Sequence, residues 1–448
     1  MHQLFGDLPQ HRLTQLSKKY GPVMHLQLGE ISNIVISSPE AAKQVMRTHD
    51  MFSAQRPYLF TVDIIMYGSK NIAFAPYGES WRQMRKICTL ELLSPKRVRS
   101  FRVFREEETA NLIRSIANSS QVNISRMVFN LSNAILFRSA FGKACEQDDS
   151  FLPIVQKFML MLEGFSIVDF FPSLKFLPRI TGMRSKLEKL HQEADQMIES
   201  LINEHREKKK SLGQEEDLVD ILLNIQEQNN LGFPLTTESI KAIMMDMFIA
   251  GSETSAATID WALSEMLKDS RVMKKAQAEV REVFRQEKGI DEDRLPELKY
   301  LKLVIREALR LHPPLPLLLP RESLKELEID GYEIPKDTKL IVNASAIGRD
   351  ARYWTEPDRF NPERFENGSV DFKGNDFEFI PFGAGRRMCP GLNYGMAVVE
   401  SVLANLLYHF DWKLANGLEP HQLDMSESSG ASARRNKELY LIPSPYNP

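Results

Sequence analysis

No run of about 18 or more apolar residues occurs anywhere in this chain, so nothing in it reads as a bilayer-spanning helix. Cysteine is equally scarce. Cys88, Cys145 and Cys389 cannot build a disulfide framework across 448 residues, which points to a reducing compartment. Charge of one sign is missing too: the formal net charge is −3, which argues against nucleic acid as the main partner. Gly/Ser runs, long Pro-rich stretches and internal repeats are absent. A single domain spanning 1–448 is therefore expected, although length alone would suggest two or three. The mixed-charge stretch from Glu204 to Glu216 comes nearest to a linker, and it reads as a solvated helix end plus loop.

Strand signals are few. Val23 to Leu28 and Asn33 to Ser37 read as a hairpin around Gly29-Glu30, and Glu328 to Ile334 as a second with an Asp-Gly turn. Lys339 to Val342 and Leu439 to Ile442 are expected to complete a small sheet. Most of the rest has helical periodicity, so the fold class is mainly α with small β-sheets. An amphipathic helix is expected from about Gln10 to Tyr20. A far longer one runs from Thr237 to Lys268, with capping chemistry at its start and Gly251 in its middle. Leu298 to His312 is apolar on most sides, which predicts burial, and it stops at Pro313-Pro314.

The most informative stretch is Pro381-Phe382-Gly383-Ala384-Gly385-Arg386-Arg387-Met388-Cys389-Pro390-Gly391, followed by a helical pattern from Leu392 to about Phe410. A thiol at a helix N-terminus beside two guanidiniums favours its thiolate, the form that binds metal. No other Cys or His stands at zinc or iron–sulfur spacing, so one protein ligand must suffice. Haem iron is the common centre that asks for only one, because the porphyrin supplies four. A nucleotide loop fails, since Met388 stands where a third glycine would be needed.

This stretch resembles the haem-binding signature of cytochrome P450 enzymes, Phe-x-x-Gly-x-Arg-x-Cys-x-Gly, filled by Phe382, Gly385, Arg387, Cys389 and Gly391. The resemblance implies haem b as cofactor, Cys389 as iron ligand, and a haem lying between the long central helix and the helix after the Cys loop. Its glycines would let backbone pass close to the porphyrin and the sulfur, and Arg387 would meet a propionate. Trp81-Arg82-Gln83-Met84-Arg85 resembles the family's Trp-x-x-x-Arg, with Trp81 and Arg85 one helical turn apart and aimed at a propionate. Without the rest, that pair would read as a core tryptophan beside a solvated arginine. Arg321 is a further propionate candidate.

Ala250-Gly251-Ser252-Glu253-Thr254-Ser255 falls mid-helix, and Ile243, Met247, Ala250, Thr254 and Thr258 share one face. Glycine there costs about 1 kcal/mol against alanine, so packing or function should offset it. A kinked core helix is the plain reading. The segment also resembles the family's oxygen-activation motif, which implies that Glu253 and Thr254 relay protons to dioxygen beside Ala250. Glu307-Ala308-Leu309-Arg310 puts opposite charges on one face of a buried helix, where both need full pairing. The family pairs them through a downstream Pro-Glu-Arg-Phe, here Pro362 to Phe365, so Glu307, Arg310 and Arg364 form the expected triad.

The resemblance covers essentially the whole chain, and Arg85-Lys86-Ile87-Cys88 and Leu407 to Trp412 match plant microsomal members that oxidise terpenoids. It implies a haem-thiolate monooxygenase that inserts one oxygen atom of O2 into a C–H bond, with NADPH-derived electrons from NADPH–cytochrome P450 reductase. It also implies a monomer at the cytosolic face of the endoplasmic reticulum membrane. The relatives' N-terminal anchor and hinge do not appear before Met1-His2-Gln3, which suggests a truncated, soluble form. The substrate pocket is expected from Pro57 to Lys70 with Phe60, Phe165 to Leu177 with Phe170, Met244 to Thr254 with Met247, Leu315 to Leu319 with Leu317 and Leu318, and Ser428 to Ala431. The segment Gly164 to Pro178, rich in phenylalanine, is either core or an exposed lid that dips into a membrane surface. A pocket so apolar suits a sesquiterpene or diterpene; alkaloid, phenolic and fatty-acid substrates stand as alternatives. A haem-thiolate isomerase or dehydratase would keep Cys389 without the Glu253–Thr254 pair, and a haem or gas sensor would need no lid. One departure is Ser345, where close relatives carry Trp.

Overall fold

Two helices laid end to end, Thr237–Gly251 and Glu253–Lys268, take the place of the single long helix expected from the sequence. The computed structural model describes residues 6–142, 153–154, 157, 167–207, 216–228, 234–287 and 289–446. The break at Ser252 has a local cause. Ser252 Oγ donates to the Phe248 carbonyl (2.7 Å), Thr254 Oγ1 to Ala250 (2.7 Å), Ser255 Oγ to Gly251 (3.1 Å) and Thr258 Oγ1 to Thr254 (2.8 Å). Hydroxyls that bond back to the carbonyl four residues earlier compete with the backbone N–H and bend a helix. Gly251 is demanded by packing as well, because a Cβ there would meet Leu136 Cδ2 at 3.1 Å. Leu136 belongs to helix Ile124–Phe141, which crosses at that point. The second half of the pair is buried almost throughout, with Ile259, Trp261, Leu263 and Met266 fully enclosed. Against it pack Lys299–Leu311, which ends before Pro313-Pro314, and Leu392–His409, the helix after the Cys loop.

The strands occupy the margins. Strands β1 (Val23–Leu28) and β2 (Ile31–Ile36) pair antiparallel with Val23 opposite Ile36. Strand β3 is Val122–Asn123, β4 Arg321–Glu322, β5 Leu327–Ile329, β6 Tyr332–Ile334, β7 Lys339–Val342, β8 Phe410–Leu414 and β9 Tyr440–Pro445. One sheet has the order β1-β2-β7-β4, with β7 parallel to β2 and β4 antiparallel to β7. The β5–β6 hairpin turns on Asp330 and Gly331, both at positive φ (54° and 79°), the geometry an Asp-Gly pair favours. The C-terminal strand corrects the sequence reading. It does not join Lys339–Val342 but forms a separate sheet, β3-β9-β8, because the chain after the last helix turns straight into β8 and offers a nearer edge. The helical pattern expected from Leu392 to about Phe410 ends at His409, where β8 begins. Among the described residues no helix is long and apolar enough to cross a membrane. Cys145 and Phe165 lie outside the described residues.

Candidate active site

The loop before Leu392–His409 is held from behind. Gly385 has φ +69°, and a Cβ there would collide with the Met46 carbonyl oxygen and stand 2.7 Å from Asp50 Oδ2. That carboxylate oxygen accepts the Arg386 backbone N–H at 2.7 Å, while Asp50 Oδ1 accepts Arg321 at 2.8 Å. The close approach required of Gly385 is thus to the Met46 backbone and Asp50. The Cys389 N–H donates to the Phe382 carbonyl (3.0 Å), which closes the loop and leaves the sulfur open to an internal cavity. Burial pushes the Cys389 thiol up; a hydrogen bond from the Gly391 N–H and the charge of Arg85 pull the other way. This corrects the expectation that Arg386 and Arg387 favour the thiolate. Arg386 lies on the surface and Arg387 is turned to the carbonyls of Ala54, Ile72 and Ala75, so neither guanidinium faces the sulfur.

The cavity lies between the Cys loop and helix Thr237–Gly251 with its continuation. Ile72, Ala250, Gly251, Thr254, Leu318 and Phe382 line it with other apolar groups. Its charged lining is lopsided: Arg56, Arg85, Arg321 and Arg387 against one carboxylate, Asp246. Arg387 donates to the carbonyls of Ala54 (2.8 Å), Ile72 (3.3 Å) and Ala75 (2.6 Å), and its guanidinium stacks 4.1 Å over the Trp81 ring. The Trp81 indole donates to the Ile72 carbonyl at 3.0 Å. Arg56 donates to the carbonyls of Ala73, Leu319 and Pro320 at 2.6–2.8 Å. Arg321 bonds Asp50 and the Ala384 carbonyl (2.9 Å). Arg85 makes no side-chain hydrogen bond or ion pair among the described residues.

Burial pulls all four guanidiniums down. For Arg387 the value falls to about 9, with Arg321 and Arg85 adding to the effect. A guanidinium does not give up its proton in a protein, so this pull is an unmet demand for negative charge. A flat group carrying two carboxylates at one edge would answer that demand. Among these cations the sequence reading missed Arg56, an isolated arginine with no periodicity around it. It missed Asp246 too, although a lone Asp within Ile243-Met244-Met245-Asp246-Met247-Phe248 is a recognisable mark of a charge on an otherwise apolar helix face.

Thr254 lines the cavity, and its hydroxyl hydrogen is committed to the Ala250 carbonyl, which leaves its lone pairs to accept. Glu253 does not share that face. Buried at 2% exposure, it points away from the cavity, and its Oε1 accepts Ser432 Oγ at 2.5 Å and lies 2.7 Å from Arg434 Nε. Adjacent helix positions diverge by about 100°, which is why the two side chains the sequence set side by side part company. Glu253 Oε2 is buried with no hydrogen-bond partner among the described residues.

Of the expected pocket residues, Met247 and Leu318 line the cavity. Leu318 does so at φ +50°, an uncommon conformation for a branched side chain. Four others sit elsewhere. Phe60 is packed into the main core, and Leu317 lies against the separate cluster of Leu13, Met24 and Val35. Phe170 belongs to a short helix docked on the β1–β2 turn, where its carbonyl accepts the Glu30 N–H, and Ala431 is exposed. For Leu317 the neighbouring Leu315, Leu318 and Leu319 line the cavity and only the side-chain direction differs, whereas no residue of Pro57–Lys70, of Ser428–Ala431 or of the described part of Phe165–Leu177 lines it.

Glu307, Arg310 and Arg364 come together in the interior. Arg310 binds both Glu307 oxygens at 2.8 Å, and both side chains are 0% exposed. Glu307 Oε1 also accepts Arg364 Nε and the Asn361 N–H, each at 2.9 Å. Ser345 is buried, with its Oγ accepting from Arg349 at 3.1 Å.

A family model described as Cytochrome P450 matches residues 1–442. Among curated proteins, desmethyl-deoxy-podophyllotoxin synthase of Sinopodophyllum hexandrum is 55% identical over 99% of this chain and 89% of its own length. Premnaspirodiene oxygenase of Hyoscyamus muticus and 5-epiaristolochene 1,3-dihydroxylase of Nicotiana tabacum are each 49% identical over 100% of this chain and 91% of theirs. Among solved structures, a zebrafish cytochrome P450 with abiraterone superposes with a TM-score of 0.81 at 23% identity, covering 98% of this chain and 100% of that one. Another with progesterone gives 0.81 at 24%, covering 97% and 99%.

Proposed function

Because the chain belongs to the cytochrome P450 family of haem-dependent monooxygenases, we propose that it inserts one oxygen atom into a C–H bond of a terpenoid, a sesquiterpene or diterpene. Haem iron, O2 and NADPH-derived electrons are the cofactor and co-substrates of this family. The observation that carries the reading is a thiol opening into an apolar cavity whose rim holds four arginines and one carboxylate. Cys389 would ligate the iron, and Arg56, Arg85, Arg321 and Arg387 would meet the two haem carboxylates. Arg56 joins this set because its charge is buried and met, among the described residues, only by carbonyls.

When bound, the haem supplies dioxygen activation; the chain supplies orientation, exclusion of water and proton delivery. Thr254, with free lone pairs above the cavity floor, would hold a water that donates the proton. Glu253 would stand behind it as a reservoir reached from the surface through Arg434, and its unpartnered Oε2 is suited to a water. Met247, Leu318 and the apolar wall would hold the substrate by shape. The terpenoid class is supported by two relatives at 49% identity, one named for premnaspirodiene and one for 5-epiaristolochene. A second reading, the same chemistry on a phenolic substrate, is favoured by the 55% identical relative, whose name gives desmethyl-deoxy-podophyllotoxin as its product.

NADPH–cytochrome P450 reductase would deliver the electrons to a monomer at the endoplasmic reticulum membrane. Ile167, Phe176 and Ile180, exposed within one short segment, would meet the membrane surface. The test is a titration of sesquiterpenes, diterpenes, alkaloids and phenolics against the haem absorption spectrum, followed by turnover with reductase and NADPH. A terpenoid should shift the haem to high spin and yield a hydroxylated product. Shift and product from phenolics alone would overturn the terpenoid assignment.

A further inference from the structure

Asp246 faces the cavity from helix Thr237–Gly251 and has no cation paired with it among the described residues. What it holds instead is backbone. Its Oδ1 accepts Asn71 Nδ2 at 2.6 Å, and its Oδ2 accepts the N–H groups of Ile72 and, at 3.2 Å, Ala73. Three donors from three successive residues converge on one carboxylate. The far side of this strap is held by positive charge. The Ala73 carbonyl accepts Arg56 Nε (2.8 Å), and the Ile72 carbonyl accepts both the Trp81 indole (3.0 Å) and Arg387 (3.3 Å). The Ala75 carbonyl, whose own N–H turns back to Asn71, accepts Arg387 again at 2.6 Å.

The strap at 71–75 is therefore clamped between an anion on its N–H side and two cations on its carbonyl side. The peptide units between them are oriented so that each charge meets the favourable end of a dipole. An anion at the N–H groups polarises these units and strengthens the hydrogen bonds their carbonyls accept. Burial lifts the Asp246 carboxyl to about 6, against those three hydrogen bonds, so it stays mostly ionised at neutral pH.

We propose that Asp246 is a positioning residue for the cofactor: by holding the 71–73 strap it presets the Ile72 carbonyl, and through it Trp81 and Arg387, to receive a haem carboxylate. The proposal rests on the reading of the cavity as the haem site. It ties the wall that faces substrate to the rim that holds the cofactor, through one turn of backbone.

The experiment compares haem affinity of apo-protein, by titration with haem, for wild type, Asp246→Leu, Asp246→Asn and the distant core variant Leu263→Ala. Asparagine keeps an acceptor for the Ile72 and Ala73 N–H groups, and Asn71 can turn its amide to meet the new NH2. Leucine removes every acceptor. Loss of a partner that orients ligating groups typically weakens binding about 10–100-fold. That is the loss expected for Asp246→Leu, together with faster proteolysis of the apo-protein within residues 66–78, whereas Asp246→Asn should stay near wild type. Unchanged affinity in Asp246→Leu overturns the proposal. So does an equal loss in Leu263→Ala at matched thermal stability, since that is what general destabilisation would give. If Asp246→Leu cannot be purified, Asn71→Ala removes one of the three donors and should weaken haem binding by a smaller factor; no change there overturns it as well. Failure of wild type to bind haem would be a failure of the cavity reading itself.

Discussion

Replacing Glu307 by alanine deletes the anion at the centre of a fully buried charge cluster. Arg310 loses two hydrogen bonds of 2.8 Å, Arg364 one of 2.9 Å, and the Asn361 N–H loses its acceptor. Arg310 keeps the carbonyls of Gly348 and Pro357, so its hydrogens remain partly satisfied, but its charge does not. Breaking a buried pair by removing one partner costs about 3–5 kcal/mol. An unfolding entropy of about 2.1 cal/mol/K per residue gives roughly 0.9 kcal/mol per degree for a chain of 448 residues melting as one unit, so Tm should fall by about 3–5 °C. Scanning calorimetry of the haem-loaded protein reads this directly. Arg364→Ala should cost less, because Glu307 then keeps both of its bonds to Arg310 and the lost cation lies nearer the surface, with 9% of its side chain exposed. A Tm within 1 °C of wild type for Glu307→Ala, or a larger drop for Arg364→Ala, would refute the reasoning.

Two further changes probe the cavity. Thr254→Ala should retain haem and substrate binding while a larger share of NADPH electrons leaves as peroxide, whereas Thr254→Ser, which keeps the accepting lone pairs, should couple nearly as well as wild type. Product and peroxide counted per NADPH decide it, and equal ratios for all three would remove Thr254 from proton delivery. Gly385→Ala forces a Cβ into the Met46 carbonyl at a φ of +69° and should give little haem-loaded protein; normal haem content on purification would show that the loop can shift.

The Cys loop, the triad and the order of the large helices were legible in the sequence, because each depends on residue type at fixed spacing. The Glu307–Arg310 pair and its need for a further partner were legible from spacing and burial, and Arg364 entered through the resemblance of Pro362 to Phe365 to the family's segment. What was not legible depends on rotation about a helix or on which edge a strand finds. Glu253 and Thr254 are neighbours in sequence but point to different faces of the helix, and Ser252 breaks the long helix through hydroxyls that propensity alone does not flag. Leu317 and Leu318 sit on different sides of one turn, and only the second reaches the cavity. Arg56 and Asp246 act through backbone carbonyls and N–H groups, so although Asp246 stands out as a lone charge in an apolar stretch, what either one holds carries no sequence signature.

The central claim is that Cys389, and not another thiol, ligates haem iron in this cavity. Cys88 also lines the cavity, is buried, and is pushed up to about 12 by that burial, so it is the natural control. The decisive measurement is the absorption spectrum of the reduced carbon monoxide complex for wild type, Cys88→Ser and Cys389→Ser. The account predicts the thiolate-specific band in the first two and its loss in the third; a band that survives in Cys389→Ser, or vanishes in Cys88→Ser with haem still bound, would contradict it.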